Sequence, residues 1–139
     1  MKLITTNFII KSKGFNDIID ITENIRTQID ESGILEGNVL IFVSGSTAGL
    51  TTIEYEPGLL KDYPEFMEKI IPSNKNYHHD LTWNDGNGFS HIRATLQGAS
   101  LQIPFQNGKL LLGVWQQIIF IDFDNKSRTR KIITQLIGK

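Results

Sequence analysis

The residues best suited to chemistry in this chain crowd into one short stretch. Tyr77, His78, His79, Asp80, Trp83, Asp85, Asn87, Ser90, His91 and Arg93 lie there, and no other histidines occur. A neutral imidazole can ligate a divalent metal or shuttle a proton near neutral pH. A nearby carboxylate can orient an imidazole or complete a metal shell. An arginine can clamp an anionic group with its planar fork. His91 and Arg93 are two residues apart. On a strand they would share a face, opposite the apolar Ile92, Ala94 and Leu96. Of the adjacent His78 and His79, one must point away, and His78 is assigned to solvent. The HxxxH spacing of zincins and any Cys/His finger pattern are absent. The plainer alternative is a polar loop in which one histidine happens to flank a strand.

A second constellation lies upstream. Ser44-Gly45-Ser46-Thr47-Ala48-Gly49 is followed by Thr51-Thr52-Ile53-Glu54-Tyr55-Glu56. A Gly/Ser/Thr turn presents backbone N–H groups and hydroxyls, which suit phosphate or carboxylate. It is not a Walker A loop, because no Gly-Lys-Ser/Thr follows. If the next segment is a strand, Thr52, Glu54 and Glu56 share a face. The alternative is a hairpin turn with solvated glutamates. Trp83 and Trp115 read as packing residues. Arg128, Arg130 and Lys131 read as a solvated strand face or a subunit contact.

These groups need elements to position them. Ile4, Thr6, Phe8 and Ile10 alternate, which predicts a first strand over residues 2–11. Ile18, Ile21, Ile25 and Ile29 recur at spacings of three and four, which predicts a helix over 16–32 with Asn16 capping its start and Gly33 its end. Strand patterns cover 38–43 and 51–56. Pro57-Gly58 opens a second helix that Pro72 stops. Residues 73–90 read as a long polar loop, a type that is often functional. Strands follow, with 110–123 apolar on both parities and therefore covered on both faces. The last strand takes 127–137. Helices early and strands late predict one α+β domain over 1–139 with a mostly antiparallel sheet. Two-sided burial then calls for a second sheet or another subunit.

Composition removes several function classes. A formal net charge of −1 does not suit a general nucleic-acid binder, which needs a basic surface. The lack of cysteine excludes disulfides, thiolate metal sites and cysteine nucleophiles. No leader-like start and no bilayer-length apolar run are present, so no membrane role is expected and the location expected is cytoplasmic.

Phe42 to Gly58, and Tyr77 to Ala94, resemble the two signatures of the YjbQ (UPF0047) family, also described as secondary thiamine-phosphate synthase. Gly98, Pro104, Gly108, Gly113, Trp115-Gln116 and Asp122-Phe123-Asp124 extend the resemblance over nearly the whole chain. It implies two packed, largely antiparallel sheets with two helices, assembled as a homotrimer. It also implies a polar pocket near a subunit boundary and a weak activity that joins a hydroxymethylpyrimidine diphosphate to a thiazole phosphate. Glu54, His79, Asp85, Asn87, His91 and Arg93 fall on the family's recurrent polar positions. Two departures stand out: many members carry His at the place of Gly45, and Phe89 also stands where members commonly carry His.

Two hypotheses follow. One is an enzyme acting on a small phosphorylated molecule. His79 and His91 would hold a divalent metal, zinc or magnesium, or act as acid and base, with Glu54 or Asp85 assisting. Arg93 and the Ser46–Thr47 turn would hold phosphate, with Asn87 beside them. The other is a non-catalytic binding protein that uses the same anion pocket.

Overall fold

The computed structural model describes all residues, Met1–Lys139. In chain order the elements are β1 Lys2–Ser12, β2 Asp17–Asp20, α1 Thr22–Ser32, β3 Glu36–Val43, β4 Ala48–Glu54, α2 Pro57–Ile70, α3 His78–Trp83, α4 Gly88–Gln97, β5 Ser100–Gln106, β6 Lys109–Leu110, β7 Gln116–Asp122 and β8 Arg128–Gly138. One sheet has the order β1-β8-β3-β5-β6 and the other β2-β7-β4. Every pairing is antiparallel. The fold is α+β, as the sequence predicts. No helix is long and apolar enough to cross a membrane.

Strand β7 explains why two layers are needed. Its side chains alternate between two cores. Ile118 and Phe120 join Val39, Ile41, Val43, Ile103, Phe105, Ile132 and Leu136 between the two sheets, together with Ile25 and Ile29 of α1. Ile119 and Ile121, with Phe123 just past the strand, join Met67, Ile71, Phe89 and Ala94 under α2 and α4. The second sheet and the helices thus cover both faces within one chain. The expected strand over 110–123 is interrupted, however. Residues 111–115 form a turn in which the Gly113 N–H donates to Gln116 Oε1 at 2.7 Å, leaving Val114 and Trp115 exposed.

The first predicted helix also starts later. Residues 17–20 pair with β7, and α1 begins only at Thr22, whose N–H and hydroxyl both donate to Asp20 Oδ1. Asn16 therefore caps nothing; it sits in a tight turn with φ +62°. Gly33 ends α1 in the left-handed region, φ +65°, where a β-carbon would be strained. Glu56 caps α2 by accepting from the Gly58 and Leu59 N–H groups, with Pro57 in the first turn, where its missing N–H costs nothing.

The largest correction concerns residues 78–83 and 88–97, which are helical. Besides the two expected helices the chain builds α3 and α4. The Ile92/Ala94/Leu96 alternation suggests a strand, but Ile92 and Leu96 are exposed while Phe89, Ser90, Arg93 and Ala94 are buried. The buried set follows helical spacing and contains an arginine, which hides the periodicity from a hydropathy reading.

Arg93 is 1% exposed, and its donors are consumed internally. Nε and Nη2 donate to the Ile71 carbonyl at 3.1 and 2.7 Å. Nη2 also donates to Glu68 Oε2 at 2.7 Å, and Nη1 to Asn16 Oδ1 at 3.0 Å. The guanidinium lies over the Phe89 ring, 4.9 Å from its centroid. Arg93 thus ties α4 to the end of α2 and to the 14–16 turn, instead of facing a ligand beside His91. Arg93→Lys keeps the charge, but one ammonium cannot reach all three acceptors. We expect a loss of about 1–3 kcal/mol, as the buried Ile71 carbonyl loses its donors, read by urea denaturation, with phosphate affinity unchanged. A variant of full stability that no longer binds phosphate would contradict this placement.

Candidate functional site

A cavity of ≈ 350 Å³ opens where the turn before β4, helices α3 and α4, and the connection from β7 to β8 meet. It is lined by Ser46, Thr47, His79, Asp85, Asn87 and His91, residues from both constellations. Asp124, Arg128 and Arg130 close it from the side of the β7–β8 connection, and Gly45 and Trp83 complete the wall. A depression of ≈ 410 Å³ between β1 and α1 has no His or Arg in its lining.

The histidines come together because α3 and α4 pack at a tight corner. Asp80 holds it: Oδ1 accepts from the Gly88 N–H at 2.8 Å and Oδ2 from the Tyr77 N–H at 3.2 Å. A β-carbon at position 88 would lie 2.5 Å from Tyr77 Cβ, so glycine permits this approach. As a result the His79 and His91 rings stand 4.1 Å apart, centroid to centroid, tilted by 46°. Asp85 Oδ2 lies 3.4 Å from His79 Nε2. That is an electrostatic contact, since Nε2 makes no hydrogen bond and is buried. His78 is exposed, as expected.

Burial pushes the His91 imidazole below its usual pKa, and the neighbouring His79 adds to the effect. The carboxylates of Asp85, Asp124 and Asp80 pull the other way without overcoming it. His91 is therefore neutral at pH 7 and free to accept a proton.

The cavity floor is an ionic network that the sequence reading missed. Asp122 and Asp124 are fully buried. Arg130 grips Asp122 side-on, Nε to Oδ2 at 2.8 Å and Nη2 to Oδ1 at 2.9 Å. Asp124 accepts from Arg128 Nε at 2.7 Å, Thr47 Oγ1 at 3.1 Å, Asn87 Nδ2 at 3.2 Å and the Asn125 N–H at 2.8 Å. Burial alone would raise the pKa of Asp124, but these donors outweigh it and hold the carboxyl below its ordinary value. Asn87 precedes α4 without capping it by its side chain; its amide nitrogen goes to Asp124 and Oδ1 is left buried with no partner. Nothing local in the sequence marks it, because the aspartates at the end of β7 and the arginines of β8 belong to different sheets.

Two expected site residues are elsewhere. Arg93 is internal. Glu54 is exposed at the far end of β4, about 20 Å along the strand from the Thr47 turn at ~3.3 Å per residue. Phe89 fills the core under α4. The metal expectation finds no donor set: no group of three or more His, Asp or Glu side chains is placed to hold an ion. His79 and His91 supply two nitrogens, whereas a catalytic zinc site uses three protein ligands.

The pattern of the family described as "UPF0047 protein YjbQ-like" matches residues 6–139. The chain belongs to this family. A UPF0047 protein of Archaeoglobus fulgidus is 41% identical over 121 residues, covering 87% of this chain and 91% of the relative. The UPF0047 protein YugU of Bacillus subtilis is 34% identical over 131 residues, covering 93% and 96%. Among solved structures, a hypothetical protein from Aeropyrum pernix superposes with TM-score 0.91 at 29% identity, over 98% of this chain and 99% of that one. An uncharacterized YjbQ/UPF0047 protein from Clostridium acetobutylicum gives 0.87 at 36%, over 95% and 99%. The YjbQ-like two-sheet fold is thereby established for this chain.

The His91 environment has a consequence for stability. An unfolded imidazole titrates near 6.5 and the folded one lower, so between those values the unfolded state binds more protons. This destabilisation is absent above about pH 6.5 and grows as the pH falls towards the folded value. Thermal melts from pH 7.5 to 5.5 should show a steeper loss for wild type than for His91→Gln. Parallel curves would show that His91 is not held neutral by the fold.

Proposed function

We propose that this family member binds a small phosphorylated molecule in the cavity between α3, α4 and the Ser46–Thr47 turn, and that His79 and His91 move protons on it. The observation that carries this reading is the His79–His91 pair, 4.1 Å apart, in one cavity with Arg128 and Arg130. His91 serves as the proton acceptor because it is neutral. Asp85, 3.4 Å from His79 Nε2, orients that ring. The two rings stand close enough to act on one substrate, His91 accepting a proton from an attacking group. Ser46 and Thr47 contribute donors at the rim. No step here is routed through a metal. The reaction to assay is the one the resemblance implies, the joining of a hydroxymethylpyrimidine diphosphate to a thiazole phosphate. Phe89 and Gly45, standing where family members commonly carry histidine, support the second reading, a non-catalytic phosphate-ester binder.

We also propose that the chain assembles as a homotrimer. The outer face of the five-stranded sheet has no helix over it, and Leu3, Ile9, Leu40, Phe42 and Ile137 are exposed there. A patch of this kind on a monomer marks an interaction surface.

In the assay, His79→Gln and His91→Gln should each lower turnover by about 10²–10⁴, with light scattering returning a trimer mass throughout. Turnover that survives both substitutions overturns the catalytic reading. Binding of the thiazole phosphate by calorimetry, with no turnover in wild type, establishes the binding-protein reading instead.

A further inference from the structure

Arg130 has one donor to spare. Nε and Nη2 are engaged by Asp122 and Thr47, while Nη1 donates to nothing within the protein and is not sealed off from solvent. Its position follows from Gly45: a β-carbon there would lie 2.8 Å from Nη1 and touch little else. The missing side chain is the opening through which the guanidinium reaches the cavity.

Asn87 supplies the complementary group. It is 4% exposed, and Oδ1 has no partner. The amide cannot turn over to satisfy it, because Asp124 Oδ1 needs the Nδ2 donor. Oδ1 is thus fixed as a pure acceptor. Asn87, Arg128 and Arg130 all bear on one carboxylate, with Arg130 Nη2 3.6 Å from Asp124 Oδ2. Asn87 and Arg130 both line the one cavity.

Charge narrows the ligand further. The two arginines are balanced by the buried Asp122 and Asp124, and Asp85 adds a negative charge to the rim. Such a site does not favour a bare dianion. It favours an oxyanion that keeps a proton, since that proton lowers the charge and meets the unpaired acceptor.

We propose that Arg130 Nη1, exposed by the absence of a side chain at Gly45, is the anion anchor of this cavity, and that Asn87 Oδ1 selects a protonated oxyanion, hydrogen phosphate or a phosphomonoester, over sulfate. The proposal rests on the phosphate-ester reading above and assigns the groups that recognise the phosphate.

The test is calorimetric titration at pH 6.5 with inorganic phosphate and with sulfate, on wild type and Gly45→Ala. Position 45 is outside the left-handed region, so alanine fits the backbone and its methyl meets only the tip of the Arg130 side chain. A thermal melt checks that the variant is folded. Wild type should bind phosphate about tenfold or more tightly than sulfate, and Gly45→Ala should weaken phosphate by about tenfold or more, as loss of a charge-assisted hydrogen bond requires. Equal affinities for the two ions overturn the role of Asn87 while the anion pocket stands. Full phosphate affinity in folded Gly45→Ala overturns the role of Arg130. No binding of either ion to wild type at millimolar concentration overturns this proposal, and the phosphate-ester reading then depends on the thiazole phosphate titration alone.

Discussion

Two carboxylates with no solvent contact sit at the end of the sandwich, and the site is arranged around them. Asp122 and Asp124 could not stay ionised there alone, since burying a charge without partners is prohibitive. Their partners come from distant parts of the chain: Ser12 from β1, Thr47 from the turn before β4, Asn87 from the start of α4, and Arg128 and Arg130 from β8. Satisfying Asp122 and Asp124 therefore brings together the loop ends that line the cavity. The same bonds orient Asn87 and Arg130 so that one atom of each is left over. Fold and site share one electrostatic requirement.

The layering serves this arrangement. Strand β7 is buried on both faces and runs directly into the acidic pair, so the rigid centre of the molecule carries the cavity floor. The histidines ride on α3 and α4, which Arg93 and Asp80 pin from beneath. Arg93 shows how a charged side chain can be structural. A carbonyl, a half-exposed carboxylate and an amide oxygen absorb its donors, and Phe89 stacks beneath its plane.

Much of this was legible before any coordinates. Alternation marked β1, the isoleucine spacing marked α1, Pro57 and Pro72 bracketed α2, and the two-sided apolar run called for a second sheet or another subunit. The two signature segments do meet, with Ser46, Thr47, His79, Asp85, Asn87 and His91 around one cavity. What failed has physical causes. The helix α4 buries Phe89 and Arg93 and exposes Ile92 and Leu96, so hydropathy pointed to the wrong period. The arginines of β8 looked solvated because nothing local reveals that their partners, Asp122 and Asp124, are themselves buried. Glu54 shares a signature with Ser46, yet extended backbone carries it to the other end of the strand.

The central claim is that Asp124 holds the cavity and the fold in one network, and denaturation of Asp124→Asn tests it most directly. The substitution keeps shape and removes the charge. The account predicts a loss of about 2–4 kcal/mol in urea unfolding, from weakened bonds to Arg128 and Arg130 around a buried carboxylate, together with loss of phosphate binding in the protein that remains folded. A variant with wild-type stability and wild-type phosphate affinity would contradict it.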